Sequence, residues 1–324
     1  MNRFDVDWSG YWPAAPTPYS ADGSVDETSL GELMELYVSN GVHGVLINGS
    51  TGEWFSQSRS ERERVARCAV EALAGRVPVI VGVSSYTADE SVHVARSAAA
   101  AGADGILATI PPYVHPAPDE VIEFYRCVSQ ATDLPFMVYN WPRGVVVDLA
   151  KIDGLMHRLA LLPQIAAIKD STGDWEAMVQ TTQSVSGEVR VFGSFSSRRG
   201  LAILAGLGGD GAIDGGGVGA PYGVPYYEAA LKGDIDLARF WVDKYQLLSA
   251  SLIYPDYSGR YASPVVQLKA AMHLLDQPAG RVRKPLLELT DTHALRTIAE
   301  ILRTAELPVS HDREREVCEI RSTW

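Results

Sequence analysis

Eight short apolar runs, each followed by a stretch that suits a helix or a tight turn, constrain this chain more than any other feature. The runs are Gly10–Pro16, Gly44–Asn48, Val77–Val83, Gly105–Thr109, Pro135–Asn140, Ile165–Lys169, Val189–Phe192 and Gly211–Asp214. Several are unbroken rather than alternating: Val45-Leu-Ile47, Val77-Pro-Val-Ile-Val-Gly-Val83 and Phe136-Met-Val138. An alternating strand keeps one wet face, whereas an unbroken apolar strand is buried on both, as in a parallel sheet covered by helices. Asp26–Asn40 opens on an acidic cap and Glu27, places Leu30, Leu33, Met34 and Tyr37 at helical spacing, and stops at Asn40-Gly41. Arg59–Leu73, Ala88–Ala101, Pro118–Ala131, Asp148–Leu161 and Trp175–Ser184 behave alike. Eight such units within about 215 residues predict a closed (β/α)8 TIM barrel. A doubly wound open sheet is the alternative, but it calls for a glycine-rich dinucleotide turn after the first strand, and none follows.

The expected organisation is a barrel over residues 1–225, a C-terminal helical region packed on it over 226–307, and a polar tail over 308–324. The appended helices are predicted at Tyr226–Lys232, Asp234–Leu252, Pro264–Leu275 and Thr292–Ala305. The 324 residues are 46% hydrophobic and 21% charged, as in a soluble globular protein, and the net charge of −12 argues against nucleic acid or an anionic membrane as a partner. Cys68, Cys127 and Cys318 are far apart and odd in number, which fits a reducing compartment and no disulfide framework. With no basic-then-apolar leader and no apolar stretch near the ~20 residues that span a bilayer, a cytoplasmic location is expected. The seven histidines do not cluster and no HExxH occurs, so no metal site is expected.

In such barrels the active site sits at the carboxyl ends of the strands, and Lys169 ends the run Ile165-Ala-Ala-Ile168. A lysine desolvated there loses its proton more easily, and the free amine can condense with a ketone to a Schiff base. It reads otherwise as a snorkelling lysine or a partner of Asp170. Strand two ends in Asn48-Gly-Ser-Thr-Gly-Glu53, where Ser50, Thr51 and turn amides freed by Gly49 and Gly52 suit a carboxylate, or a capped βα turn. Tyr139 ends strand five and suits either packing or acid–base work. Tyr113 projects from the proline turn after strand four. The glycine-rich stretches 206–211 and 215–219 flank strand eight and suit a phosphate or close packing; no P-loop pattern follows them. Asp214 is an acidic residue at the end of an apolar strand, a site group or a turn residue.

Taken together, Gly49-Ser-Thr-Gly-Glu53, Pro111-Pro-Tyr113, Tyr139-Asn-Trp-Pro142 and Ile168-Lys-Asp-Ser-Thr-Gly173 resemble, in order and spacing, the dihydrodipicolinate synthase / N-acetylneuraminate lyase superfamily. The resemblance runs from about Gly10 to about Leu307. It implies a class I aldolase-type lyase in which Lys169 forms an imine with pyruvate or a similar 2-keto acid. Tyr139 would relay protons, and Ser50 and Thr51 would hold the carboxylate. No metal or organic cofactor is implied. Gly49, Gly52, Tyr113, Trp54, Trp141, Arg143, Ser194 and Ile213 form the expected substrate-binding set.

Departures bear on the substrate. Where dihydrodipicolinate synthases carry a second tyrosine after strand four, this chain has Val114; where they carry an arginine five residues after the site tyrosine, it has Gly144, with Arg143 one place early. Both count against lysine biosynthesis. Gly52-Glu-Trp-Phe-Ser56 is similar to a run in the keto-deoxy-glucarate dehydratases. The expected chemistry is therefore aldol cleavage or condensation with an aldehyde, with keto-deoxy sugar acid dehydration as the alternative. A non-catalytic keto-acid-binding or regulatory barrel and a phosphate-binding barrel enzyme are rivals of other classes. The resemblance also implies a homo-dimer or homo-tetramer.

Overall fold

The computed structural model describes the backbone of residues 1–319 and the side chains of residues 1–316; the end of the expected tail, 320–324, and the Cys318 side chain lie outside the described residues. Eight parallel strands close in sequence order: β1 (Gly10–Ala14), β2 (Val45–Ile47), β3 (Val79–Gly82), β4 (Gly105–Ala108), β5 (Phe136–Asn140), β6 (Ile165–Asp170), β7 (Arg190–Phe192) and β8 (Gly211–Gly215), which pairs back onto β1. The barrel interior is filled by Trp8, Trp12, Leu46, Ile80, Leu107, Met137 and Phe192. A second, larger core lies between the strands and the helices. Two cores, one on each face of the same strands, explain why the strand sequences are unbroken rather than alternating.

The covering helices are α1 (Glu27–Ser39), α2 (Arg59–Leu73), α3 (Ala88–Ala100), α4 (Pro118–Ser129), α5 (Pro142–Val145), α6 (Leu155–Ala160), α7 (Trp175–Val185), α8 (Arg198–Leu207) and α9 (Ala220–Leu231). Most starts follow cap chemistry: Asp26 accepts from Ser29 N, and Ser58 and Glu61 form a capping box. The single helix predicted over Asp148–Leu161 is broken. Leu149–Lys151 is one 3₁₀ turn, and Gly154, at φ +66°, separates it from α6.

Helix α8 was not predicted, because Gly200 and Gly206 give its sequence the look of a loop. Gly200 is there for fit: a Cβ on it would lie 2.2 Å from the Phe195 carbonyl oxygen. The expected division between 225 and 226 falls inside α9, which carries Pro225 in its interior. The C-terminal addition therefore starts after Leu231, as α10 (Ile235–Leu252), α11 (Pro264–Leu274), α12 (Thr292–Thr304) and α13 (His311–Glu319). The tail helix α13 is tied down: Arg313 pairs with Asp276 at 2.9 Å, and Arg303 pairs with Glu314. Among the described residues no helix is long and apolar enough to cross a membrane.

Candidate active site

A cavity of about 750 Å³ opens over the carboxyl ends of the strands, and Lys169 and Tyr139 line it. The register pairs Tyr139 with Lys169 and Asn140 with Asp170 across β5 and β6. A polar clamp below fixes that register. Asn140 Nδ2 donates to Asp148 Oδ1 and to Asp170 Oδ1, both at 2.8 Å. The Leu149 amide donates to Asn140 Oδ1 at 3.0 Å, and Thr172 Oγ1 donates to Asp148 Oδ2 at 2.8 Å. Burial pushes the Asp170 carboxyl up to about 6. The clamp, not an ion pair with Lys169, is the role of Asp170.

Lys169 Nζ sits 4.0 Å from the centre of the Tyr139 ring. Among the described residues no carboxylate pairs with Lys169 within salt-bridge distance. Burial pulls its ammonium down to about 7, against an upward pull from the more distant Asp214. Burial also pushes the Tyr139 phenol well up, with the Ser171 hydroxyl pulling it down, so Tyr139 is a neutral donor at neutral pH. The site therefore offers a free amine beside an intact phenol.

The turn Asn48–Glu53 is pinned at both ends. Asn48 Nδ2 donates to the Arg62 carbonyl at 2.9 Å. Glu53, at φ +57°, is wholly buried and pairs with Lys269 at 2.8 Å, while Lys269 also donates to the carbonyls of Thr17 and Arg281. The Gly52 carbonyl accepts from Thr17 Oγ1 and Gln57 Nε2. Held between these anchors, Ser50 and Thr51 line the cavity.

Trp141, Arg143, Ser194 and Ile213 also line the cavity. The Trp141 indole stacks on Tyr139 at 5.8 Å with 22° between the planes. The Arg143 guanidinium lies 5.5 Å from the Trp141 ring centre and donates to the Asp256 carbonyl at 2.8 Å. Ser194 Oγ pairs with Tyr257 Oη.

Four expected substrate-binding residues are not on the cavity wall. Trp54 packs on Tyr86 and under the Arg62 guanidinium, and its neighbour Phe55 lines the cavity instead. Gly49 and Gly52 are packing positions: an added Cβ would meet Leu46 at 3.1 Å and the Ala15 carbonyl oxygen at 3.0 Å. Tyr113 is 93% exposed, at φ +82°. Several glycines around strand eight are packing positions. A Cβ would strike Phe195 from Gly209, Leu268 from Gly216 and Tyr245 from Gly219.

Sequence reasoning missed Tyr257. It stands at φ +64° in the connection between α10 and α11, lines the cavity and packs edge-on against Trp141 at 5.8 Å. The only signal was an aromatic within Tyr254-Pro-Asp-Tyr-Ser-Gly259, a turn-like stretch without periodicity. The partners of Asp214 were missed too: Tyr11 Oη donates to its Oδ2 at 2.6 Å.

Fold and strand-end site together define a barrel enzyme of the lyase class. The chain belongs to the dihydrodipicolinate synthetase family, whose sequence model matches residues 7–304. It is 35% identical to an uncharacterized DapA-like lyase of Rhizobium meliloti, over 87% of this chain and 91% of that protein. It is 34% identical to YjhH of Escherichia coli K12, a probable 2-dehydro-3-deoxy-D-pentonate aldolase, over 91% of this chain and 98% of YjhH. The solved structure of YagE, a prophage protein of the dihydrodipicolinic acid synthase family from E. coli K12 in complex with pyruvate, matches with a TM-score of 0.84. Its identity is 26%, over 94% of this chain and 100% of YagE.

Proposed function

We propose that the chain is an imine-forming lyase that joins pyruvate, or a pyruvate-like 2-keto acid, to an aldehyde or releases it from the aldol product. The observation that carries this reading is the desolvated Lys169 amine, 4.0 Å from the Tyr139 ring centre in a cavity shared with Ser50 and Thr51. The amine adds to the 2-oxo carbon, the carbinolamine loses water, and the nitrogen keeps a proton as a cationic imine. That imine draws electrons from the adjacent carbon, which gives up a proton or breaks a carbon–carbon bond to leave an enamine. Tyr139, neutral and beside the nitrogen, moves the protons; the Ser50–Thr51 turn grips the carboxylate. The imine is itself the electron sink, so the reading calls on no metal or organic cofactor.

Aldol chemistry on a hydroxylated acceptor is favoured over dehydration. The cavity wall carries Ser194, Ser196, Ser197 and Ser249, which suits the hydroxylated chain that both chemistries share. Likeness over nearly the whole of YjhH, a probable 2-dehydro-3-deoxy-D-pentonate aldolase, favours the aldol. The exposed Tyr113, at a backbone conformation that costs energy for a non-glycine residue, supports assembly as a homo-dimer or homo-tetramer.

The test is intact-protein mass after incubation with pyruvate and borohydride, with Lys169→Ala alongside. A gain of one reduced pyruvate, absent from the variant, is expected. No gain in the wild type overturns the reading. Adduct formation without pyruvate release from any 2-keto-3-deoxy sugar acid, or condensation with any aldehyde, would mark a binding barrel.

A further inference from the structure

Tyr257 lines the cavity without a part in the imine chemistry. A short hairpin between α10 and α11 carries it. Ile253 and Gly259 bridge the two arms, the Tyr254 amide donates to the Ser258 carbonyl at 2.8 Å, and the Arg260 amide donates to the Leu252 carbonyl at 3.0 Å. The buried Gln267 of α11 staples the base: its Nε2 donates to the Leu252 carbonyl at 2.8 Å, and its Oε1 accepts from the Tyr261 amide at 2.9 Å. The two arginines on the cavity wall brace the rest. Arg143 donates to the Asp256 carbonyl at the tip, and the Arg260 guanidinium lies 4.2 Å from the Tyr254 ring centre. These anchors hold Tyr257 at φ +64°, a backbone conformation that costs a non-glycine residue energy.

The strand register fixes what Tyr257 stands over. Tyr139, Lys169 and Phe192 pair side by side across β5, β6 and β7 and so share one layer of the barrel. Trp141, Ser171 and Ser194, each two residues further on, form the next layer, roughly 7 Å nearer the open end, and all three line the cavity. Tyr257 packs edge-on against Trp141 at 5.8 Å and bonds through Oη to Ser194 Oγ. It therefore bridges from the end of β5 to the end of β7, across the end of β6 that carries Lys169. An acceptor that reaches the carbon beside the imine from the open end passes this bridge. Among the described residues the Tyr257 and Ser194 hydroxyls bond only to each other, which leaves the pair one O–H and spare lone pairs for a ligand.

We propose that the Tyr257–Ser194 hydroxyl pair binds the hydroxyl on the acceptor carbon next to the aldehyde, so that 2-hydroxyaldehydes are the acceptor class. The inference rests on the imine chemistry proposed above. In the aldol product only a short run of carbons lies between the imine nitrogen and that hydroxyl, which suits a subsite one layer above Lys169. A substrate hydroxyl both donates and accepts, and so completes the bonding that the pair leaves open. The braced hairpin presents the phenol already in place, so little ordering is needed on binding.

The experiment measures kcat/KM for condensation of pyruvate with glycolaldehyde and with propanal, in which a methyl of similar size replaces the hydroxyl. The proteins are the wild type, Tyr257→Phe, Ser194→Ala and Ser194→Thr. Tyr257→Phe keeps the ring against Trp141 and removes only the hydroxyl. The glycolaldehyde-to-propanal ratio is expected to fall about three- to tenfold from the wild-type value in Tyr257→Phe and in Ser194→Ala, and to return in Ser194→Thr. A purely structural role for the pair would lower both rates together, so an unmoved ratio in the Phe and Ala variants overturns the proposal. A wild type that traps pyruvate yet condenses it with neither aldehyde overturns it too. Absence of any pyruvate adduct in the wild type defeats the imine reading itself, and the acceptor subsite with it. Should Tyr257→Phe fail to fold, the two Ser194 variants decide by the same ratio.

Discussion

Raising the pH through neutrality should switch on Lys169 well before the lysines that face solvent. Its ammonium is pulled from the ordinary value near 10.5 down to about 7 by burial at the end of β6. A group with that midpoint is about 10% free amine at pH 6 and about 90% at pH 8, a roughly tenfold rise that then levels. A solvent lysine gains about 100-fold over the same interval and keeps rising to beyond pH 9. Competitive acetylation of the unliganded protein, read peptide by peptide, separates the two curves and needs no knowledge of the substrate. A Lys169 reactivity that climbs with unit slope through pH 9 would refute the desolvation argument and leave the residue a snorkelling strand-end lysine. Stability supplies a second reading of the same quantity. Below pH 7 folded and unfolded chains both hold the proton, so the burial cost is fully present; it is relieved as pH rises from about 7 to about 10.5. The gap corresponds to at most roughly 5 kcal/mol. Lys169→Met should therefore resist urea better than the wild type at pH 6, with an advantage that shrinks toward pH 10.

Three further outcomes are expected. Tyr139→Phe keeps the ring over the amine but removes the proton carrier, so turnover should fall by on the order of 10² or more while the pyruvate adduct still forms, as steady-state rates and trapping together would reveal. Glu53→Gln leaves the Lys269 ammonium buried among carbonyls at the root of the Ser50–Thr51 turn, and urea denaturation should report a loss of about 3–5 kcal/mol. Gly144→Ala places a Cβ 2.3 Å from the Trp141 ring and should cost about 1–3 kcal/mol, with most of the loss restored when Trp141→Leu is added; equal costs in both backgrounds would show that the indole is not the obstacle.

What was legible in the sequence had a local cause. The strands were legible because both faces of each are buried, which leaves unbroken apolar runs; Lys169 and Tyr139 were legible because a charge or a phenol at the end of such a run is conspicuous. Contacts made only by closure of the barrel left no such trace. Tyr11 and Asp214 lie 203 positions apart and meet because β8 pairs with β1. Tyr257 reaches the site from a connection between appended helices, with no periodic pattern to announce it. The departure at Gly144 was visible, but its meaning was not. Read alone, it is a lost arginine and hence a lost grip on a second carboxylate. In the folded chain the space a side chain would enter there is filled by the Trp141 indole, which stacks on Tyr139 and lies 5.5 Å from the Arg143 guanidinium. Tryptophan at 141 and glycine at 144 are thus physically coupled. The aromatic wall is compatible with a residue no larger than glycine three positions on.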